Sequence, residues 1–434
     1  MALDLNVYTG KITYKNIDFL YTFDGDELRL IPPEDKKREV EKWFLTEIGN
    51  GVYTLGDSVY MEEDVLEGTC NESGYGFIFL VSRYHSIGRY NSVLIIPVIS
   101  YIKKKLNCPM FDRIIFTSNE LNYIYPTLKA IDKKGWSEAG SIEVSTKTFR
   151  QTTTLKHDFL VGEKEVKVQF GVAIMTDSKA KTSPLLLQSI MTFDFESTTD
   201  YAFIYELWLI AKRFIQYLCY RRNIAFSKVE LAGPFQDGSH FTCADFFVMN
   251  EDEVHEETKP LEKGWFIKED YIDQHCGDIL TDIANKNLYM RHIPESYSSG
   301  STINEARFVM ITAAFEWEVR RLYSYSKSQN KKIPLKDKII KVGEDLHSVI
   351  GAFGERLYHL NDEELNYKEM GERLAQQRNN FAHGNLDKEF IGTSLCDLIY
   401  LEYMIYAMQL RIYGVEDTKI QKSINDLFHL NFKL

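Results

Sequence analysis

What the 434-residue chain lacks narrows its class first. No apolar run reaches about 18 residues, so no membrane-spanning helix is expected. The opening Met1-Ala2-Leu3-Asp4-Leu5-Asn6 has neither a basic nor an apolar region, and no signal peptide is expected there. Six cysteines (Cys70, Cys108, Cys219, Cys243, Cys276, Cys396) are scattered without a C-x-x-C pair. They read as the reduced thiols of a cytoplasmic protein, neither a disulfide framework nor a zinc site. No Gly-x-x-x-x-Gly-Lys-Ser/Thr loop is present, which argues against ATP use through a P-loop. Internal repeats, heptads and low-complexity tracts are also missing. His347, His359 and His383 follow no standard ligand spacing, and no metal or other cofactor is expected.

What is present suits a globular chain of two or three domains, on a prior of about 150 residues each. Apolar residues make up 44% and aromatic residues 13%, enough for sizeable cores. The net charge of −12 argues against a general nucleic-acid coat protein. The charge is uneven. Residues 301–434 hold 18 Lys and Arg against 19 Asp and Glu, which leaves −11 on the rest. That near-neutral part contains Lys331, Lys332, Lys336, Lys338 and Lys341. This basic stretch is suited to a phosphate backbone, although most such runs are solvated loop and helix faces. Arg320 and Arg321 are expected as surface charges.

Pattern predicts an α+β protein in which an antiparallel β-rich N-terminal region precedes an all-α C-terminal bundle. Strands are expected at 7–14, 76–81, 93–98, 141–149, 189–196, 229–231 and 241–248. Segments 157–161 and 166–174 flank Gly162-Glu163-Lys164, a hairpin signal. A sandwich or pair of sheets is expected, with its aromatics in the core. A helix over about 198–222 carries apolar residues at three- and four-residue spacing. The acidic run from Asn250 to Lys259, ended by Pro260, marks a junction. Three regions result: 1–250, a β-rich regulatory region; 251–300, a linker with a helix over 268–290; and 301–434, a helical domain. Within that last region helices are expected at 303–326, capped by Ser301 or Asn304, then 334–350, 363–383, 388–413 and 419–428, with Gly414 as a stop.

Chemistry concentrates in Gln377-Arg378-Asn379-Asn380-Phe381-Ala382-His383-Gly384, on the expected last turn of a helix. Arg binds a phosphate through paired hydrogen bonds and offsets growing charge on its oxygens. Imidazole takes or returns a proton near neutral pH, for example that of a ribose 2'-hydroxyl. Asn379 lies four residues before His383 and shares its helical face, where its amide can orient the ring or touch the phosphate. Asn380 could play the same part but points elsewhere. Arg378 and His383 are separated by about 140° around a helix. The two side chains diverge unless the helix loosens at its end; if they do, one protomer supplies only half of a working site. Against this stands the plain alternative: an Arg in a salt bridge and a His complementing a helix dipole.

The Arg-Asn-x-x-x-His pattern resembles the R-x4-6-H signature of HEPN domains, many of which are metal-independent ribonucleases with active sites at a dimer interface. The helix around Phe308–Val319 is similar to the opening helix of the HEPN domain in ApeA-like phage-defence proteins, which carries an acidic residue in an apolar run, here Glu316. The β-rich region, mid-chain helix and C-terminal bundle follow the same layout. The resemblance implies an endoribonuclease of anti-phage defence, with Arg378, His383 and Asn379 catalytic; Glu316 is read either as a buried polar contact to the motif Arg or as a surface residue. It implies an RNA substrate, a homodimer through the HEPN domain, and a phage-derived trigger sensed by the N-terminal region. Inactive HEPN modules that bind RNA, nucleotide or a partner protein are the alternative. A third is a dimerising bundle in which the motif only ties helices together.

Overall fold

The structure, a computed structural model, describes residues 7–25, 27–49, 51–55, 62–72, 76–82, 92–136, 142–176, 185–235, 240–249, 258–300, 302–382 and 393–433. Two compact units form from interleaved stretches of chain. One comprises 1–119, 190–209 and 225–254; the other comprises 120–189, 210–224 and 255–434. The division therefore departs from the linear 1–250, 251–300 and 301–434 order. Residues 120–189 and 210–224 group with the helices. The acidic junction at 250–257 lies outside the described residues.

In the first unit, strands β1 (Tyr8–Tyr14), β2 (Ile17–Phe23) and β3 (Glu27–Ile31) form an antiparallel meander. A short helix α1 (Lys37–Glu41) and the hairpin β4 (Leu45–Gly49) and β5 (Val52–Leu55) follow, then β6 (Val65–Cys70), β7 (Gly76–Val81), β8 (Leu94–Lys104) and β9 (Phe111–Thr117). Every second residue of β1 and β2 is buried, the period-2 signature of a one-sided strand. The expected sandwich gives way to a closed barrel. The first residues of β8 pair with β3, while Val98–Lys103 pair with β7, which closes β8-β3-β2-β1-β6-β7 on itself. Alternation specifies a buried face and leaves open which strands meet; an 11-residue β8 is long enough to serve two neighbours. Phe19, Tyr21, Phe23, Phe77 and Phe79 fill the interior, with Phe23 packing edge-on against Phe79 and Tyr101.

Helix α2 (Asn119–Ile124) precedes the hairpin β10 (Ile131–Trp136) and β11 (Ile142–Thr146). A short α3 (Phe149–Thr152) leads into the hairpin β12 (His157–Val161) and β13 (Lys164–Thr176). Gly162 turns this hairpin with a φ of 60°. Strand β14 (Leu185–Thr198) precedes α4 (Tyr201–Cys219). Strands β15 (Lys228–Pro234) and β16 (His240–Val248) complete the first unit, where they pair with each other and with β9 and β8.

The remaining helices belong to the second unit: α5 (Thr258–Glu262), α6 (Glu269–Ile272), α7 (Cys276–Ala284), α8 (Tyr297–Gly300), α9 (Glu305–Leu322), α10 (Lys327–Lys332), α11 (Leu335–His359), α12 (Tyr367–Ala382), α13 (Thr393–Ile412) and α14 (Asp417–Leu427). Asn304 caps α9 by accepting from the Arg307 amide, and Gly414 follows α13 with a φ of 81°. The single helix expected over 268–290 is broken into α6, a 3-10 turn and α7. Helix α11 runs past the expected stop at 350. Its glycines mark close helix approach: a Cβ on Gly343 would lie 2.5 Å from the Tyr367 ring, and one on Gly354 would lie 2.6 Å from that of Tyr400.

Helix α13 is buried on every side from Cys396 to Leu410 and forms the axis against which α9, α11, α12 and α14 pack. Its acids must therefore be paired. Asp397 accepts from Arg373 Nε and Nη2, both at 2.8 Å, and from the Tyr358 hydroxyl. Glu402 accepts from Arg307 Nη2 at 3.1 Å and from the Tyr220 hydroxyl. Burial raises both carboxyls above their ordinary range, while Arg373 and Arg307 pull them back. His292 is also buried, its ring near Tyr220, Tyr289 and Tyr406, and among the described residues neither ring nitrogen has a hydrogen-bond partner. Burial, then Arg307, depress its pKa to about 3.

His292 is thus neutral in the folded chain and binds a proton more readily when unfolded. Its contribution is fully present above about pH 6.5 and is lost as pH falls towards 3. Relative to a His292→Phe variant, the wild type loses up to about 1.4 kcal/mol per pH unit across that window. Urea midpoints of the two proteins at pH 7 and pH 5 measure the difference.

Candidate functional site

Arg378 sits near the end of α12, whose Met370, Leu374 and Gln377 recur at helical spacing and are buried. Phe381 stacks edge-on against Phe308 of α9, with centroids 5.1 Å apart, and anchors the helix end. Arg373 is turned to Asp397 on α13. Five residues later, about 140° around the helix, Arg378 leaves that face. Its side chain is 48% exposed, and Nη1 lies 2.8 Å from Oε2 of Glu316 on α9.

Glu316 ties four helices. Its Oε1 accepts from Lys338 Nζ on α11 at 2.7 Å, and its backbone carbonyl accepts from Asn330 Nδ2 on α10 at 3.2 Å. The Lys338 side chain is only 2% exposed and that of Glu316 20%. Two cations around one carboxylate leave a net +1 on the cluster. Only Arg378 of the three presents its charge broadly to solvent. A guanidinium has five N–H donors, and those not directed at Glu316 are chemically suited to a phosphate oxygen.

The other predicted residues divide. Asn379 is exposed beside Arg378, whereas Asn380 is buried. His383 and Gly384 lie outside the described residues. Lys331 and Lys332 are exposed at the end of α10. Lys336 lies 2.6 Å from Glu372. Lys338, expected as a phosphate contact, is instead a core-facing residue of α11 with its side chain 2% exposed. Leu335, Ile339, Val342 and Leu346 define the buried stripe, and position 338 falls within it. That periodicity was visible in the sequence; the run of lysines obscured it. His347 accepts from or donates to the Tyr367 hydroxyl at 2.8 Å. Among the described residues no group of three His, Cys, Asp or Glu side chains is arranged to hold a metal ion.

The most deeply buried acid of α9 is Glu318, two residues beyond the expected one. It accepts from Arg321 Nη1 at 2.6 Å, from Gln409 Nε2 at 3.1 Å and from the Tyr289 amide at 3.2 Å. Burial raises its pKa, against the pull of Arg321. Arg321, expected at the surface, is 12% exposed and also bonds Asp282. Glu318 falls between Phe315 and Val319 on the buried stripe, the signal that could have identified it.

The two arms of the Glu316 cluster differ in weight. Removing Glu316 leaves Lys338 without the anion that the described residues give it, so Glu316→Gln is expected to destabilise by about 3–5 kcal/mol. Arg378→Ala breaks a half-exposed pair and is expected to cost under about 1 kcal/mol. Chemical denaturation of the two variants checks the contrast. Compared with protein-family models, with curated proteins and with solved structures, the chain finds no match.

Proposed function

We propose that the chain is a metal-independent endoribonuclease of the HEPN type, acting in bacterial anti-phage defence. The observation that supports this most is the placement of Arg378: half-exposed, oriented by Glu316, and next to an exposed Asn379 on the last turns of α12. In this reading Arg378 binds the scissile phosphate and offsets the charge of its pentacoordinate transition state. His383 removes the proton of the ribose 2'-hydroxyl or supplies one to the leaving 5'-oxygen. Asn379 positions the phosphate or the ring. The 2'-oxygen attacks the adjacent phosphorus, the bond to the 5'-oxygen breaks, and the products carry a 2',3'-cyclic phosphate and a 5'-hydroxyl.

In this reading a second copy of the chain completes the site, because on a regular helix side chains five residues apart point about 140° away from each other. Val309 and Met310, 52% and 41% exposed on the helix that carries Glu316, offer it an apolar face. The N-terminal β-rich region serves as restraint or as sensor of a phage-derived trigger.

The ion pair also fits a different role, in which Arg378 only ties α12 to α9. Magnitude weighs against it: a pair this exposed contributes under about 1 kcal/mol, while Arg373–Asp397 already holds α12 in place.

The deciding experiment is cleavage of total and transfer RNA in excess EDTA, with Arg378→Ala and His383→Ala proteins shown to be folded. Cleavage by the wild type alone, leaving cyclic-phosphate ends, is the expected result. Activity abolished by EDTA overturns the metal-free mechanism. Cleavage retained by both variants overturns the site.

A further inference from the structure

We infer that Lys338 is a positioning residue for Arg378: its buried ammonium takes up half of the Glu316 carboxylate, so that the exposed guanidinium keeps its charge for a phosphate from outside the protein. The inference rests on the phosphate-binding role proposed for Arg378.

A lysine at this place needs an explanation. Position 338 lies in the apolar stripe of α11 beside Leu335, Ile339 and Val342, and its side chain is 2% exposed. Taking an ammonium out of water is costly, and a Met of similar length would fill the space without that cost. The ammonium has Oε1 of Glu316 at 2.7 Å as its partner, while Oε2 of the same carboxylate lies 2.8 Å from Arg378 Nη1. The Asn330 amide fixes the Glu316 backbone carbonyl from α10, so the carboxylate stands on an anchored stem.

The charges follow from this arrangement. Glu316 and Arg378 alone sum to zero. An approaching phosphate would meet a neutral pair and compete with the carboxylate for the guanidinium. Lys338 restores the cluster to +1 from behind, on the buried side of Glu316. It is too deeply buried to reach the phosphate itself and acts only through Glu316. Glu316 thus orients Arg378, and Lys338 limits how strongly it holds it.

The test uses the full chain and a short single-stranded RNA with every 2'-hydroxyl methylated, which can bind without being cleaved. Affinity is read by fluorescence anisotropy for the wild type, Arg378→Ala, Lys338→Met and the double variant Glu316→Gln/Lys338→Met. Circular dichroism establishes that each is folded. Lys338→Met is expected to weaken binding about tenfold, the scale of one charge-assisted hydrogen bond. The double variant, which again leaves Arg378 as the single uncompensated charge, is expected to return to within about threefold of the wild type. Rescue by a second substitution distinguishes this role from a structural one, because a misfolded site is not repaired by removing a further partner. Wild-type affinity in Lys338→Met, or a double variant as weak as Lys338→Met, overturns the inference and leaves the role of Arg378 intact. Wild-type affinity in Arg378→Ala overturns both.

Discussion

The bond pair between Arg373 and Asp397 is the constraint on which the helical unit turns. Asp397 lies on α13, which is buried on all sides, so its carboxylate cannot be left without a cation. Arg373 meets it with two parallel hydrogen bonds, a geometry that fixes rotation as well as distance. Once that face of α12 is committed to α13, residues five positions on must point elsewhere. Arg378 accordingly emerges at the edge of α9, with its guanidinium half in solvent. The structural arginine and the candidate functional one occupy the same helix, and the first sets the direction of the second.

The same rule governs the other buried acids. Glu318 and Glu402 are each desolvated, each pushed above the usual carboxylate range, and each met by an arginine of α9. The Arg307–Glu402 pair joins α9 to α13, whereas Glu318 pairs with Arg321 on its own helix and reaches α13 through Gln409. Glu316 differs in holding two cations, one buried and one exposed. The Glu316 cluster therefore carries a net +1, with its exposed cation at Arg378.

Much of the architecture was legible in the chain. The period-2 strands of the first unit, the Gly162 hairpin and the helices of the C-terminal region fall close to where pattern placed them. Arg378 and Glu316 stood out as an arginine on a helix end and an acid in an apolar run. Legibility failed where a long-range partner decided the outcome. Closure of β8 onto β7, rather than a sandwich, depends on a pairing that alternation does not encode. The grouping of 120–189 with the helices is likewise a matter of contacts distant in sequence. Lys338 and Arg321, read as surface charges, are buried because Glu316 and Asp282, distant in sequence, receive them, with Glu318 one turn before Arg321 as its second partner.

The sequence by itself determined the kinds of elements, their order, the apolar faces and the residue types gathered at the end of α12. Local periodicity reports neighbours three and four residues away, or two along a strand, and those preferences are intrinsic to the chain. The tertiary structure alone decided which charges are buried, which are paired and which remain exposed. That outcome depends on desolvation: an ion withdrawn from water is tolerated only where a counter-ion meets it, and for Lys338 with Glu316 and Arg307 with Glu402 the two partners lie far apart in sequence, outside one local window.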